Sequence, residues 1–217
     1  MSDLLADYRD ETIGCTRCPL AATRTQVVFG SGDPHAELLF VGEAPGFHED
    51  QNGIPFVGQA GKLLERLLNG IGLARTDVYV ANVLKCRPPG NRDPHPEEIE
   101  ACESHLFRQI ELIRPTLVAT LGNFATKLLS GKPAGITRVH GVEQRVVLGG
   151  NAVTLYPLFH PAAALYTPSM QKVLEQDFAR IPELLGRPVA VLAPTPPRVV
   201  APPPAAPAAP AVQLGLF

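Results

Sequence analysis

Short apolar runs alternate along this chain with stretches whose apolar residues recur every three or four positions, and the two patterns predict different elements. The run at 36–41, closed by Gly42, reads as a buried strand, and so do 78–84, 117–121 and 153–159. Between them, Leu63, Leu64, Leu67, Leu68 and Ile71 fall on one face of a helix at 60–71, with Lys62, Glu65 and Arg66 turned away. A long helix starts at Pro96, where proline is tolerated in the first turn and Glu97 and Glu98 suit the positive end of the helix dipole. A short helix follows Gly122 through Phe124 and Leu128, and a helix at 169–185 closes the series with Val173, Leu174, Phe178, Ile181 and Leu185. Strands alternating with helices are best buried as a sheet covered on both faces. The expected fold is therefore an α/β/α three-layer sandwich with a central, mostly parallel four-stranded sheet.

That architecture carries a geometric consequence, because ligands bind such sheets beyond the carboxyl ends of the strands. Gly42-Glu43-Ala44-Pro45-Gly46 follows the first strand, Asn82 lies at the end of the second, and His160-Pro161 follows the fourth. Three polar features thus converge on one edge.

Composition narrows the partners. The chain of 217 residues suits one substantial domain, and its 45% hydrophobic and 18% charged content excludes a wholly disordered protein. A formal net charge of −2 excludes a polycation that binds nucleic acid over its whole surface, so any such surface must be local. The start of the chain lacks the basic and apolar segments of a secretory signal, and no run is long enough to span a bilayer. A cytoplasmic protein without a membrane partner is expected. From Pro188 onward prolines interleave with alanine and valine, a composition with too few donors and too little apolar area to repay its ordering. The expected division is a domain at 1–187 and an extended or disordered tail at 188–217. The tail ends in Gln213-Leu214-Gly215-Leu216-Phe217, which a polyproline-like spacer would hold clear of the domain.

Four cysteines remain to be explained. Cys15 and Cys18 form a C-x2-C pair, while Cys86 lies in a loop and Cys102 on the helix begun at Pro96. In a reducing compartment metal ligation is the leading expectation, and four thiolates suit zinc or an iron–sulfur cube alike. The glycine-bracketed turn at 42–46 lacks the dinucleotide and triphosphate fingerprints. Phe56 reads as a core aromatic or a stacking platform, His160 as a core histidine or a donor, and Asn82 as an amide that must find partners if buried. An amide offers donor and acceptor together, which matches the edge of a base. Lys85, Arg87 and Arg92 crowd one loop and Arg138 lies in another, which points to a local phosphate-binding face.

Taken together, Gly42-Glu43-Ala44-Pro45-Gly46 with Glu49-Asp50, Gly53-Ile54-Pro55-Phe56-Val57-Gly58, Asn82-Val83-Leu84-Lys85-Cys86-Arg87-Pro88-Pro89 with Asn91-Arg92, His160-Pro161-Ala162, and the order of the four cysteines resemble the family 4 uracil-DNA glycosylases. The resemblance covers residues 10–187. It implies the uracil-DNA glycosylase fold, a [4Fe-4S] cluster on Cys15, Cys18, Cys86 and Cys102, and a monomeric hydrolase. The enzyme would release flipped uracil from single- or double-stranded DNA and so initiate base-excision repair.

By the same resemblance Gly42, Glu49, Phe56, Asn82 and His160 bind uracil. Phe56 stacks on the base, Asn82 reads its edge, Glu49 crowds the C5 side, and His160 donates to O2. Glu43 and His160 are the catalytic pair. Ala44 stands where another family carries an aspartate, and Leu165-Tyr166 stands where the family pattern runs into leucines and an arginine. Gln213, Leu214, Leu216 and Phe217 resemble the peptide by which bacterial repair proteins bind the sliding clamp. Alternative readings are a glycosylase for other deaminated bases and a non-catalytic metal-containing nucleic-acid-binding module.

Overall fold

A computed structural model describes residues 2–186. Its strands are β1 (Ser31–Gly32), β2 (Leu38–Gly42), β3 (Tyr79–Asn82), β4 (Leu117–Leu121), β5 (Gln144–Leu148) and β6 (Asn151–Leu158). Its helices are α1 (Ser2–Ile13), α2 (Phe47–Asn52), α3 (Gln59–Gly70), α4 (Pro96–Ile113), α5 (Asn123–Ser130), α6 (Ile136–Val139), α7 (Pro161–Ala164), α8 (Pro168–Ala179) and α9 (Ile181–Leu185). The expected tail at 188–217 lies outside the described residues, as does the peptide at its end.

The strands form one sheet in the order β1-β3-β2-β4-β6-β5. The four predicted strands are its centre and run parallel, with Leu39 beside Tyr79 and Val118, and Val118 beside Leu155. The expectation of four strands is corrected to six in a mixed sheet, because β1 and β5 pair antiparallel at the two edges. Both edges are weak in the sequence for a physical reason. β1 is two residues long, and only Leu148 of β5 is buried, so neither edge shows the apolar run that marks a central strand. Gly149 and Gly150, both at positive φ, turn β5 into β6 as a two-residue hairpin.

Every residue of β2 and β4 is buried, as expected of strands covered on both faces. Leu39, Val41, Ala81 and Val118 share one core with Leu5 of α1 and Leu106 and Ile110 of α4. Leu38, Phe40, Val80 and Ala119 share the other with Leu63, Leu64 and Leu68 of α3 and with Leu174 and Phe178 of α8. This alternation is the period of a strand, and it produces the three layers. The expected single helix at 169–185 is divided at Arg180, because Pro182 in the first turn of α9 has no N–H to continue the α8 ladder. No helix among the described residues is long and apolar enough to cross a membrane.

One close approach prepares the site. Phe56 has a left-handed backbone, with φ of 57°, on the loop that leads into α3. Its carbonyl lies where a Cβ on Gly61 would stand. Glycine at 61 therefore lets the loop fold down onto the first turn of α3. Gly61→Ala should push the loop away and destabilise the protein by about 1–3 kcal/mol, the usual range for overpacking. A lowered midpoint in urea unfolding checks this, and an unchanged midpoint would contradict it.

Candidate active site

The carboxyl ends of β2, β3 and β6 open into a cavity of about 330 Å³. Glu43, Glu49, Phe56, Asn82 and His160 line it, as the expected convergence on one edge requires. Gly42 is the hinge of the arrangement. A Cβ there would overlap Asn82 Oδ1 and come within 2.8 Å of the Phe56 ring, so only glycine lets ring and amide meet at the floor. Pro88, Asn91 and Arg92 from the loop after β3 also line the cavity.

Asn82 is 2% exposed, and its Oδ1 is the buried side-chain polar atom left without a partner among the described residues. A buried acceptor with nothing to accept costs free energy of about 1–3 kcal/mol. Such a cost is tolerated where a ligand donor is to arrive.

His160 caps α7, and its Nδ1 accepts the backbone N–H of Ala162 at 3.1 Å. That bond leaves the proton of the neutral ring on Nε2. Burial pulls the imidazole down to about 4, so the ring is neutral in neutral solution and offers Nε2–H as a donor. The rings of His160 and Phe56 stack with centroids 5.6 Å apart.

Glu43 behaves differently. Burial, helped by the nearby charge of Asp93, pushes its carboxyl up to about 7. Glu49 is a strut as well as a wall, since its Oε1 accepts the N–H groups of Val57 at 3.0 Å and Gly58 at 2.9 Å. It thereby holds the loop that carries Phe56 against the end of α2. Gly61 and Glu49 together explain how a residue on a loop is kept at a fixed place in the pocket.

The four cations expected at phosphates have separate positions. Lys85 is corrected: it is 1% exposed, with Nζ donating to the Asn82 carbonyl at 2.8 Å and to Gln109 Oε1 at 2.5 Å. Gln109 in turn donates to the Phe29 carbonyl at 2.8 Å. Lys85 therefore braces the end of β3 against α4 and does not reach the surface. Arg92 lines the pocket but grips the buried Glu98 through two bonds, at 2.9 and 2.6 Å. Glu98 also accepts the N–H of His95 at the start of α4, so this pair ties the pocket loop to the helix. Arg87 bonds Asn91 Oδ1 at 2.6 Å, and Arg138 is exposed on α6, beside a different cavity. Sequence reasoning read Glu98 only as a helix-start acid and missed Gln109, whose partners Lys85 and Phe29 are set by the packing of α4.

The cysteines require a second correction. Cys15, Cys18, Cys86 and Cys102 do line one cavity, of about 10 Å³, which is the room that about one water needs. Among the described residues, however, no group of three or more His, Cys, Asp or Glu side chains is placed to hold a metal ion. Three of the sulfurs already have protein neighbours: Arg24 donates to Cys86 Sγ at 3.4 Å, the Lys85 N–H to Cys102 Sγ at 3.3 Å, and His105 Nε2 lies 3.4 Å from Cys15 Sγ. Burial raises the thiols of Cys86, to about 11, and of Cys102. The expected [4Fe-4S] centre does not fit these side chains as they stand, and all four cysteines are free.

Comparison with known proteins agrees with the pocket. Residues 29–181 match the model of the uracil DNA glycosylase superfamily. The chain is 48% identical over 187 residues to the type-4 uracil-DNA glycosylase of Archaeoglobus fulgidus, covering 84% of this chain and 94% of that one. It is 45% identical over 169 residues to the type-4 enzyme of Thermotoga maritima, covering 76% and 86%. Likeness to the type-5 uracil-DNA glycosylase of Pyrobaculum aerophilum is lower, at 30% over 191 residues. With the pocket at the strand ends, this places the chain within the uracil-DNA glycosylase superfamily, as a member of family 4.

Proposed function

We propose that this chain hydrolyses the N-glycosidic bond of deoxyuridine extruded from DNA, in single or double strands, and so starts base-excision repair. The observation that carries this reading is the unpartnered, buried Oδ1 of Asn82 on the floor of a cavity walled by Phe56 and His160. Uracil presents an N–H donor at N3 beside the O4 acceptor, which an amide can meet with its oxygen and its nitrogen. Cytosine presents the opposite pair. Phe56 supplies a face for the ring once it has left the stack. Glu49, on the pocket wall, crowds the side where thymine carries its methyl group. The proposal extends to a cytoplasmic enzyme that acts as a monomer.

Breaking the bond puts positive character on the sugar and negative charge on the departing uracil, so the site must chiefly stabilise an anion. Neutral His160 does this by donating Nε2–H to the carbonyl oxygen where charge collects. A histidine already protonated would carry its own desolvation penalty in this buried place. Water is activated by Glu43, because the Ala44 methyl beside it has no lone pair to offer. In its ionised form Glu43 takes a proton from the attacking water and faces the developing positive sugar.

Two experiments test the assignments. His160→Ala should slow uracil release by about a hundredfold or more, the loss typical of a removed oxyanion donor. Single-turnover excision from a uracil-bearing oligonucleotide measures it, and wild-type rates would contradict the role. Glu43 works ionised and has its carboxyl raised to about 7, so excision should fall as pH drops through that value. His160 stays neutral until far lower pH, so this limb belongs to Glu43. A pH profile of kcat/KM should show the limb in wild type and lose it in Glu43→Gln.

The terminal Gln213, Leu214, Leu216 and Phe217 supply one polar and three apolar anchors, which is why we also propose that they bind a DNA polymerase sliding clamp. Deleting 213–217 should abolish clamp binding in a titration while leaving excision intact; equal affinity before and after deletion would remove the proposal.

A further inference from the structure

Directly after the pocket-lining Gly46, Phe47 opens α2 and is 52% exposed. A single exposed aromatic on a protein surface means little by itself. This one has a particular place and partner. The residues just before it, through Gly46, line the pocket on the β2 side. Over its ring, 5.1 Å from the centroid, lies the guanidinium of Arg87. Arg87 belongs to the loop after β3, and its Nε is anchored by Asn91, which lines the pocket. The stacked pair therefore joins the two pocket-lining segments just outside the lining itself, with about half of Phe47 left to solvent. His48 packs edge-on against the same ring and holds it in place, with centroids 5.5 Å apart.

When one base leaves a strand, the base beside it loses a stacking partner. An exposed aromatic ring under a guanidinium, beside the pocket that would receive the base, is the chemistry that replaces it, since every base has a face to stack and cation–π attraction adds to it. We infer that the Phe47–Arg87 pair is a binding site for the nucleobase adjacent to the extruded uracil on the same strand. This rests on the reading of the pocket as the uracil site. The platform grips by stacking and is indifferent to which base it receives. It assigns Arg87 to the ring rather than to a phosphate, and gives Phe47 a role in holding the strand and none in breaking the bond.

The test varies protein and substrate together. Wild type and Phe47→Ala are assayed on single-stranded oligonucleotides in which uracil is flanked by ordinary nucleotides or by abasic tetrahydrofuran residues. Inhibition by free uracil is measured alongside, as a check on the pocket itself. Phe47→Ala should lower kcat/KM about tenfold on the base-flanked strand, the order expected for one lost base–aromatic stack, mainly through KM. It should have no effect on the abasic-flanked strand and leave uracil inhibition unchanged, and Phe47→Trp should restore the loss. Equal loss on both strands would overturn the inference, because the effect would then lie in the pocket or in folding. Undiminished activity on the base-flanked strand would overturn it as well. Failure of the uracil site itself is told apart, since wild type would then release no uracil from either strand.

Discussion

The pocket depends on the absence of two side chains. Gly42 lets the ring of Phe56 and the amide of Asn82 meet at the end of β2, and Gly61 lets the backbone of Phe56 settle on the first turn of α3. A methyl group at either position would occupy space that the other wall of the site needs. The remainder of the site is fitted around this contact. Glu49 pins the loop by accepting two of its N–H groups, and His160 stacks beside Phe56 with one nitrogen tied to its own helix start. Close packing of this kind turns a loop residue into a rigid one, because an interior packed as densely as a crystal has nowhere for the loop to go.

Burial then sorts the ionisable groups by charge. Removing a group from water disfavours its charged form, which lowers a histidine and raises a carboxylate. The same pocket therefore keeps His160 neutral and pushes Glu43 up to about 7. A neutral donor for an anion and a carboxylate that changes charge near neutrality come from one physical cause. Lys85 shows the effect where it serves structure: it lies in the interior, burial pulls it down to about 8, and its bonds go to the Asn82 carbonyl and to Gln109. A cluster of basic residues in sequence is therefore no guide to a basic surface. Lys85, Arg87 and Arg92 each meet a different protein partner, and each helps to hold the loop that forms one wall.

Much of the fold was legible because its centre is apolar in an obvious way. The four parallel strands are continuous apolar runs, and α3 and α4 announce themselves through Leu63, Leu64, Leu67 and Leu68 and through Pro96, Glu97 and Glu98. The edges were not. β1 is too short to show a period, and β5 buries one residue, although the Gly149-Gly150 pair between β5 and β6 was a hairpin signal in plain view. α1 escaped notice because it packs on α4 through few residues, Leu5 and Tyr8 among them. The pocket residues were legible one by one, since Glu43, Asn82 and His160 each follow or end an apolar strand.

The sequence by itself determined which residues stand at the strand ends, because the order of apolar runs sets the order of strands and the parallel connection sends their carboxyl ends to one side. Only the tertiary structure decided which polar groups are left without a protein partner. Asn82 lines the cavity with its Oδ1 buried and unbonded, whereas Lys85 and Arg92 are engaged and, among the described residues, no three His, Cys, Asp or Glu side chains are placed to hold a metal ion. Hydrogen bonds and distances between residues far apart in the chain are set by how helices and loops pack. Local composition, which encodes only what each residue can do, does not contain them.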